Sequence, residues 1–178
     1  MVNRCRWVPT NNKLYCDYHD KEWGKPIGDD QKLFELLCLE SYQSGLSWLT
    51  VLNKRQAFNR VFHDYDIERV ARFSLSELED ALQNPDIIRH KLKLEATVNN
   101  AKQVLKLQDE FGSLSHYFWH YFDGKPLINQ LMMGHPYMWE HYLSRAFRQR
   151  TAKNNETGSQ IHLGVLVLVW HYLRLLLA

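Results

Sequence analysis

Several things are scarce in this sequence, and each shortage removes a class of protein. Cysteine occurs three times in 178 residues, at Cys5, Cys16 and Cys38. An odd number, with no secretory leader pattern ahead of it, argues against a disulfide framework and predicts a reducing, cytoplasmic setting. Long apolar runs are missing too. The longest, Val165 to Ala178, is broken by His171 and Arg174, so no membrane span is expected. Charge of one sign is not in excess: the formal net charge is +2. Residues 131–178 carry five Arg or Lys against two Glu, which leaves 17 basic and 18 acidic side chains in residues 1–130. Any site for a polyanion in that main body must therefore be a local patch. Internal repeats, low-complexity segments and the alternating pattern of strands are also lacking.

What is present is globular. Apolar residues make up 45% of the chain and aromatics 13%, enough for a core in one domain or two small lobes. From Asp29 onward the apolar spacing is helical. Asp29 or Asp30 serves as an N-cap, and Leu33, Leu36 and Leu37 mark one face. Gly45 separates this helix from a second, expected from about Ser47 to Phe62. Ile67, Val70 and Ala71 suit a short third helix, and Ser74-Leu-Ser-Glu77 is a capping box opening a fourth that Pro85 ends. The longest helix is predicted to start near Ile88 or Arg89 and to stop at Gly112, with Leu94, Val98, Ala101 and Leu105 inward. Leu114, Tyr117, Phe118 and Tyr121 continue the period to an Asp123-Gly124 turn. The expected class is all-α, with an irregular aromatic arm over residues 1–28. A helical domain spans 1–130, and a divergent tail spans 131–178.

Glu40 is the most informative position. It is the next residue on the Leu33/Leu36/Leu37 stripe, where a carboxylate must reach solvent, be paired or be used. Gln43 adds an amide and Trp48 an indole around the same helix break. Carboxylate, amide and indole together suit a planar ligand with positive charge and N–H donors, such as an alkylated purine. The arm concentrates Cys5, Trp7, Tyr15, Tyr18, His19, Glu22 and Trp23, which are either core cover or the wall of a pocket for a flat ligand. Downstream, Asn84-Pro-Asp-Ile-Ile-Arg-His-Lys-Leu-Lys-Leu94 is a short turn feeding a basic helix start, a place where backbone N–H groups can hold a phosphate.

Taken in order, Arg4-Cys5-x-Trp7, Tyr18-His19-Asp20-x-Glu22-Trp23-Gly24, Leu33-Phe34-Glu35, Leu39-Glu40 to Gly45-Leu46-Ser47-Trp48, and Ile87-Ile88-Arg89-His90 resemble the 3-methyladenine DNA glycosylase I family. The resemblance covers roughly residues 3–125 and is more specific than any one motif. It implies a helix-hairpin-helix enzyme, a monomer acting on double-stranded DNA that contains alkylated bases. Such an enzyme flips 3-methyladenine out of the duplex, hydrolyses its N-glycosidic bond and also binds free 3-methyladenine. On this likeness Glu40 is the catalytic residue and contacts the base, while Tyr15, Tyr18, Trp23, Gln43 and Trp48 bind it. Ile88, Arg89, His90, Lys91 and Lys93 would grip DNA, and Cys5 and His19 would hold a structural zinc ion. Because 3-methyladenine is already cationic, it leaves as a neutral base without strong general-acid catalysis. The alternative from another class is a catalytically inactive alkylated-base or nucleic-acid-binding protein that keeps the pocket. A third is a helical interaction module whose aromatic arm is only core.

The sequence also departs from the family. Pro85-Asp86 stands where a hairpin glycine is expected. The family's remaining zinc ligands, a His and a Cys, lie near the C-terminus, whereas no cysteine follows Cys38 here. Nothing in their spacing recommends His162 or His171 as substitutes, so Cys5 and His19 read equally well as a buried thiol and a hydrogen-bonded imidazole. Past about Gln130 the likeness stops, giving way to Arg145, Arg148 and Arg150, a polar stretch from Lys153 to Ser159 and an aliphatic end. A reading-frame change in the gene would produce such a break, and the expectation is an altered C-terminal lobe.

Overall fold

Capping chemistry sets the helix starts. In the computed structural model, which describes residues 4, 5, 7–120 and 124, Asn12 accepts the Tyr15 N–H and opens α1 (Lys13–Lys21). Asp29 does the same for α2 (Asp30–Gln43), Ser47 for α3 (Trp48–Val61) and Asp66 for α4 (Ile67–Ala71). The predicted capping box is formed in full at α5 (Leu75–Gln83), with Ser74 and Glu77 bonding reciprocally. Then follow α6 (Lys91–Phe111), closed by Gly112 at φ +82°, and α7 (Leu114–His120). Among the described residues every element is helical, as expected, and no helix is long and apolar enough to cross a membrane. Tyr121, Asp123 and the tail predicted for 131–178, with His162, His171 and its arginines, lie outside the described residues.

Two expectations change. The arm, read as irregular, contains α1. Its aromatic cluster was itself a helical pattern, since Tyr15, Tyr18, His19 and Glu22 fall at i, i+3, i+4 and i+7 behind a capping Asn12. The second change concerns α2, which is no amphipathic surface helix: Leu33 through Glu40 are all buried. It packs against α3, α6 and α7, and so it forms the axis of the domain.

Three consecutive left-handed residues, His63, Asp64 and Tyr65, follow α3 in a single 3₁₀ turn. Such backbone is unfavourable for residues with a Cβ. Its compensation is Tyr65, fully buried with its ring 6.0 Å from Phe34 and 5.7 Å from Phe62.

Asp30 joins three helices. One carboxylate oxygen accepts from Gln108 Nε2 at 2.7 Å and the Leu114 N–H at 2.8 Å, and the other accepts the Ser115 N–H at 2.8 Å. It therefore caps α7 from a distance while fixing the end of α6 against the start of α2. Removing it leaves two backbone donors without that acceptor. Asp30→Ala is expected to destabilise the protein by roughly 2 to 4 kcal/mol, seen as a lower urea midpoint at an unchanged slope. A loss no greater than about 0.5 kcal/mol would mean that water replaces all three bonds.

Candidate functional site

Around the axial helix the arm and the start of α3 assemble an aromatic wall. Tyr18, on α1 and 4% exposed, lies with its ring 5.2 Å from that of Trp48 at an interplanar angle of 54°. Trp48 is the first residue of α3 and is itself buried. Tyr15 meets Tyr18 edge-on at 6.5 Å. Glu40, only 5% exposed, stands in the last turn of α2 next to this wall. Its charge is felt by Tyr18: burial pushes that phenol well up, and Glu40 is the next cause. Tyr18 consequently stays a protonated O–H at physiological pH. A buried carboxylate thus acts on a tyrosine whose ring meets an indole, a set of groups suited to a flat cation.

A second layer of rings backs the first. Trp23 stacks on His19 at 5.1 Å and 15°, and Trp7 stands edge-on to both, 5.1 Å from Trp23 and 5.4 Å from His19. Tyr15 and Trp23, half-buried, pack on the core through this layer. Gln43, the last residue of α2, accepts the Leu46 N–H through its carbonyl at 2.7 Å. It thereby shapes the turn 44–47, in which Gly45 adopts φ +79° and Leu46 stays 39% exposed. Trp7 was named only with the arm and Leu46 only within the Gly45 to Trp48 motif, neither with a role of its own. Leu46 could have been found as an apolar residue held beside a turn-forming glycine.

The two N-terminal candidates for a metal come together. Cys5 Sγ and His19 Nε2 are 3.3 Å apart. Two ligands of a tetrahedral zinc, at about 2.3 Å for sulfur and about 2.0 Å for nitrogen, would be separated by about 3.5 Å, so the pair fits half of such a site. His19 Nδ1 lies 3.0 Å from Asp20 Oδ1, which makes Nδ1 the donor and turns the lone pair of Nε2 toward Cys5. Arg4 and His19 hold the Asp20 carboxyl down at about 2. Burial, by contrast, pushes the Cys5 thiol up, which favours the protonated form when no metal is bound. Among the described residues no group of three or more potential ligands is assembled.

The segment after α5 forms a tight turn. Asn84 Oδ1 accepts the Asp86 N–H at 2.9 Å, an Asx turn that explains how Pro85-Asp86 can replace a glycine at this tip. Ile87 anchors the turn in the core, 2% exposed, while Ile88 is half-buried. His90 is the N-cap of α6 but makes no side-chain capping bond, and no acidic residue occupies the first turn. In lacking a side-chain cap α6 differs from α1 to α5, whereas α1 and α3 also lack an acidic residue in the first turn. Arg89, His90 and Lys91 are exposed there, so an uncapped helix start is surrounded by basic groups and open to an anion. Lys93 has other partners: its ammonium donates to the carbonyls of Tyr42 at 2.9 Å and Ser44 at 2.7 Å.

A cleft of about 530 Å³ opens beside the wall, lined by Tyr18, Glu22, Lys32, Glu35, Leu36 and Arg55 among others. Of the sequence-predicted site residues Tyr18 alone lines it, so this cleft is not the Glu40 and Trp48 pocket. Its floor is an ion-pair cluster. Arg55 of α3 makes a two-pronged contact with Glu35 at 2.7 and 2.8 Å and reaches Glu22 at 2.7 Å. Arg55 was not foreseen, for nothing in a lone arginine on a polar helix face signals a buried partner. Arg55→Met should cost about 3 kcal/mol, because Glu35, 10% exposed, is left charged and buried. Changing Glu35→Leu in the same chain should recover most of that loss in guanidinium unfolding. No recovery in the double variant would mean that packing of the arginine stem, not charge, is what was lost.

Comparison with known proteins gives one direction. Residues 7–156 match the family model described as Methyladenine glycosylase, a match that runs past residue 130. The chain is 44% identical over 131 residues to the DNA-3-methyladenine glycosylase of Haemophilus influenzae, covering 74% of this chain and 70% of that protein. A crystal structure of a 3-methyladenine DNA glycosylase I superposes with a TM-score of 0.75 at 34% identity, covering 96% of this chain and 92% of the other. A structure of the Staphylococcus aureus enzyme, which concerns the structural basis of its 3-methyladenine recognition, gives a TM-score of 0.72 at 34% identity, covering 94% and 86%.

Proposed function

The chain belongs to the methyladenine glycosylase family, and from that membership we propose that it excises 3-methyladenine from alkylated double-stranded DNA by hydrolysing the N-glycosidic bond. One observation carries the reading at this chain's own residues: Glu40 is buried and its charge acts on Tyr18, whose ring meets that of Trp48. A flipped 3-methyladenine brings a delocalised positive charge, N–H donors and a flat face to that place. Tyr18 and Trp48 stack on it, Glu40 matches its charge, and Tyr15, Trp23 and Gln43 close the pocket. Cleavage moves the glycosidic electron pair onto the base, which departs neutral, and a water molecule adds its oxygen to the cationic sugar carbon and releases a proton to solvent. Glu40 stabilises the cationic sugar that forms in between.

The turn after α5 and the uncapped start of α6 act as a helix-hairpin-helix. Ile88 seats it, and Arg89, His90 and Lys91 hold one phosphate beside the free N–H groups of α6. Leu46, exposed on its turn, fills the gap that the flipped base leaves in the stack. Free 3-methyladenine binds the same pocket. The protein works as a monomer in the cytoplasm. Cys5 and His19 hold two positions of a structural zinc, which when bound contributes folding free energy. Metal content of the purified protein, compared with that of Cys5→Ser, tests this independently of activity.

Release of 3-methyladenine from methylated duplex DNA is the deciding measurement, and binding without release would make the protein a sensor of alkylated bases. Glu40→Gln should weaken free 3-methyladenine binding and slow excision, each by about tenfold or more, the loss of one charge-assisted contact. The fold should stay intact. Trp48→Ala should reduce excision far more than non-specific DNA binding, since stacking acts after flipping. Wild-type binding and excision by Glu40→Gln would remove Glu40 from the pocket.

A further inference from the structure

Two lysines near the proposed DNA-gripping turn make carbonyl contacts, and the contacts are reciprocal. Lys93 lies in the first turn of α6 and donates to the Tyr42 and Ser44 carbonyls, at the end of α2 and the start of the turn 44–47. Lys54 belongs to α3, the helix that begins with Trp48, and donates to the Pro85 and Asp86 carbonyls at 3.2 and 3.1 Å. Each ammonium runs from one half of the proposed machinery to the backbone of the other. One turn further along α6, Thr97 Oγ1 meets Tyr42 Oη at 2.6 Å, a buried contact that fixes the same pair of helices.

The placement has a physical logic. An ammonium at the C-terminal end of α2 satisfies carbonyls that have no helical partner and complements the helix dipole. Desolvation of Lys93 lowers its pKa, as expected of a charge withdrawn from solvent rather than displayed to it. Basic side chains that attract a polyanion gain nothing from such withdrawal. What they gain here is a fixed distance between the two turns. Flipping a base requires that distance: one turn holds the backbone while the other opens the stack, and any slack between them dissipates the work of unstacking.

We propose that Lys54 and Lys93 are positioning residues that lock the stack-opening turn 44–47 to the phosphate-gripping turn 85–90, so that DNA binding is converted into base flipping. This rests on the glycosylase reading above. It withdraws Lys93 from the set of direct phosphate contacts and gives Lys54 a part that its place on α3 did not suggest.

The test separates opening from both binding and bond cleavage. A duplex carries an abasic-site analogue with 2-aminopurine beside it, and fluorescence reports opening of the stack. Binding to undamaged duplex is measured across a salt series. For Lys93→Met and Lys54→Met the salt slope should equal that of wild type, free 3-methyladenine should bind as before, and stack opening should fall about fivefold or more. Lys93→Gln and Lys54→Gln keep a donor without the charge and should retain part of the opening, which covers the case of a Met variant that does not fold. Rescue by Lys→Arg at both positions completes the pattern. A salt slope that drops by about one per substitution would make the lysine a phosphate contact and overturn the proposal, as would full opening in either Met variant. The glycosylase reading is judged separately by wild-type base release from methylated DNA. Opening without release would discard that reading and leave the lysine brace standing.

Discussion

A helix buried on every side can carry a carboxylate only where something is built to receive its charge, and α2 carries Glu35 and Glu40. Five residues at about 100° each put them on different flanks of the helix. On one flank Glu35 is answered within the protein, by the two-pronged Arg55 that also holds Glu22 at the end of α1. On the other flank the charge of Glu40 acts on Tyr18, whose ring meets that of Trp48. The two carboxylates thus divide the tasks of the helix. The Arg55 cluster pins α1 and α3 to the axis. Once pinned, α1 and α3 bring the Tyr18 and Trp48 rings together.

From that division the rest of the domain follows. The arm cannot be loose cover, because Arg4 and Asp20, Cys5 and His19, and Glu22 and Arg55 fasten it at successive points along α1. Nor can α6 drift, since Asp30 holds its far end and Lys93 its near end against the same helix. A site assembled from three helices and a turn needs such fixing, because displacements near an ångström forfeit much of the advantage of holding groups in place. The fixing contacts are mostly charged side chains on backbone carbonyls or on other charges, directional where the apolar core is not.

Much of this was legible in the sequence, and the limits have physical causes. Helix starts were readable because Asp29, Ser47 and Ser74 declare themselves locally, a side-chain oxygen meeting an N–H two or three residues on. Glu40 was readable because a carboxylate on an apolar face is anomalous whatever surrounds it. α1 was missed because aromatic residues at helical spacing were weighed as composition and not as period. Arg55, Lys54 and Lys93 were illegible in their roles: each sits on a face that a single helix would leave in water, and only the packing of another helix against it supplies the partner. Tertiary partners of charged residues are not encoded within a turn or two of the chain.

The same distinction bears on how the proposed Glu40 pocket would tell damaged from undamaged adenine. Both are flat and nearly equal in size, so stacking on Tyr18 and Trp48 discriminates weakly between them, and one methyl group in an apolar pocket is worth only about 1 to 3 kcal/mol. Charge separates them better. Glu40 is 5% exposed, and at so little exposure to water a cationic base placed beside it, as proposed, would be attracted more strongly than a neutral adenine in the same place. The protonated Tyr18 phenol adds a donor that can serve either base and so contributes affinity without selectivity. On the proposed reading, selection would fall to the carboxylate that α2 buries, and the cation so selected would also be the base that departs most easily.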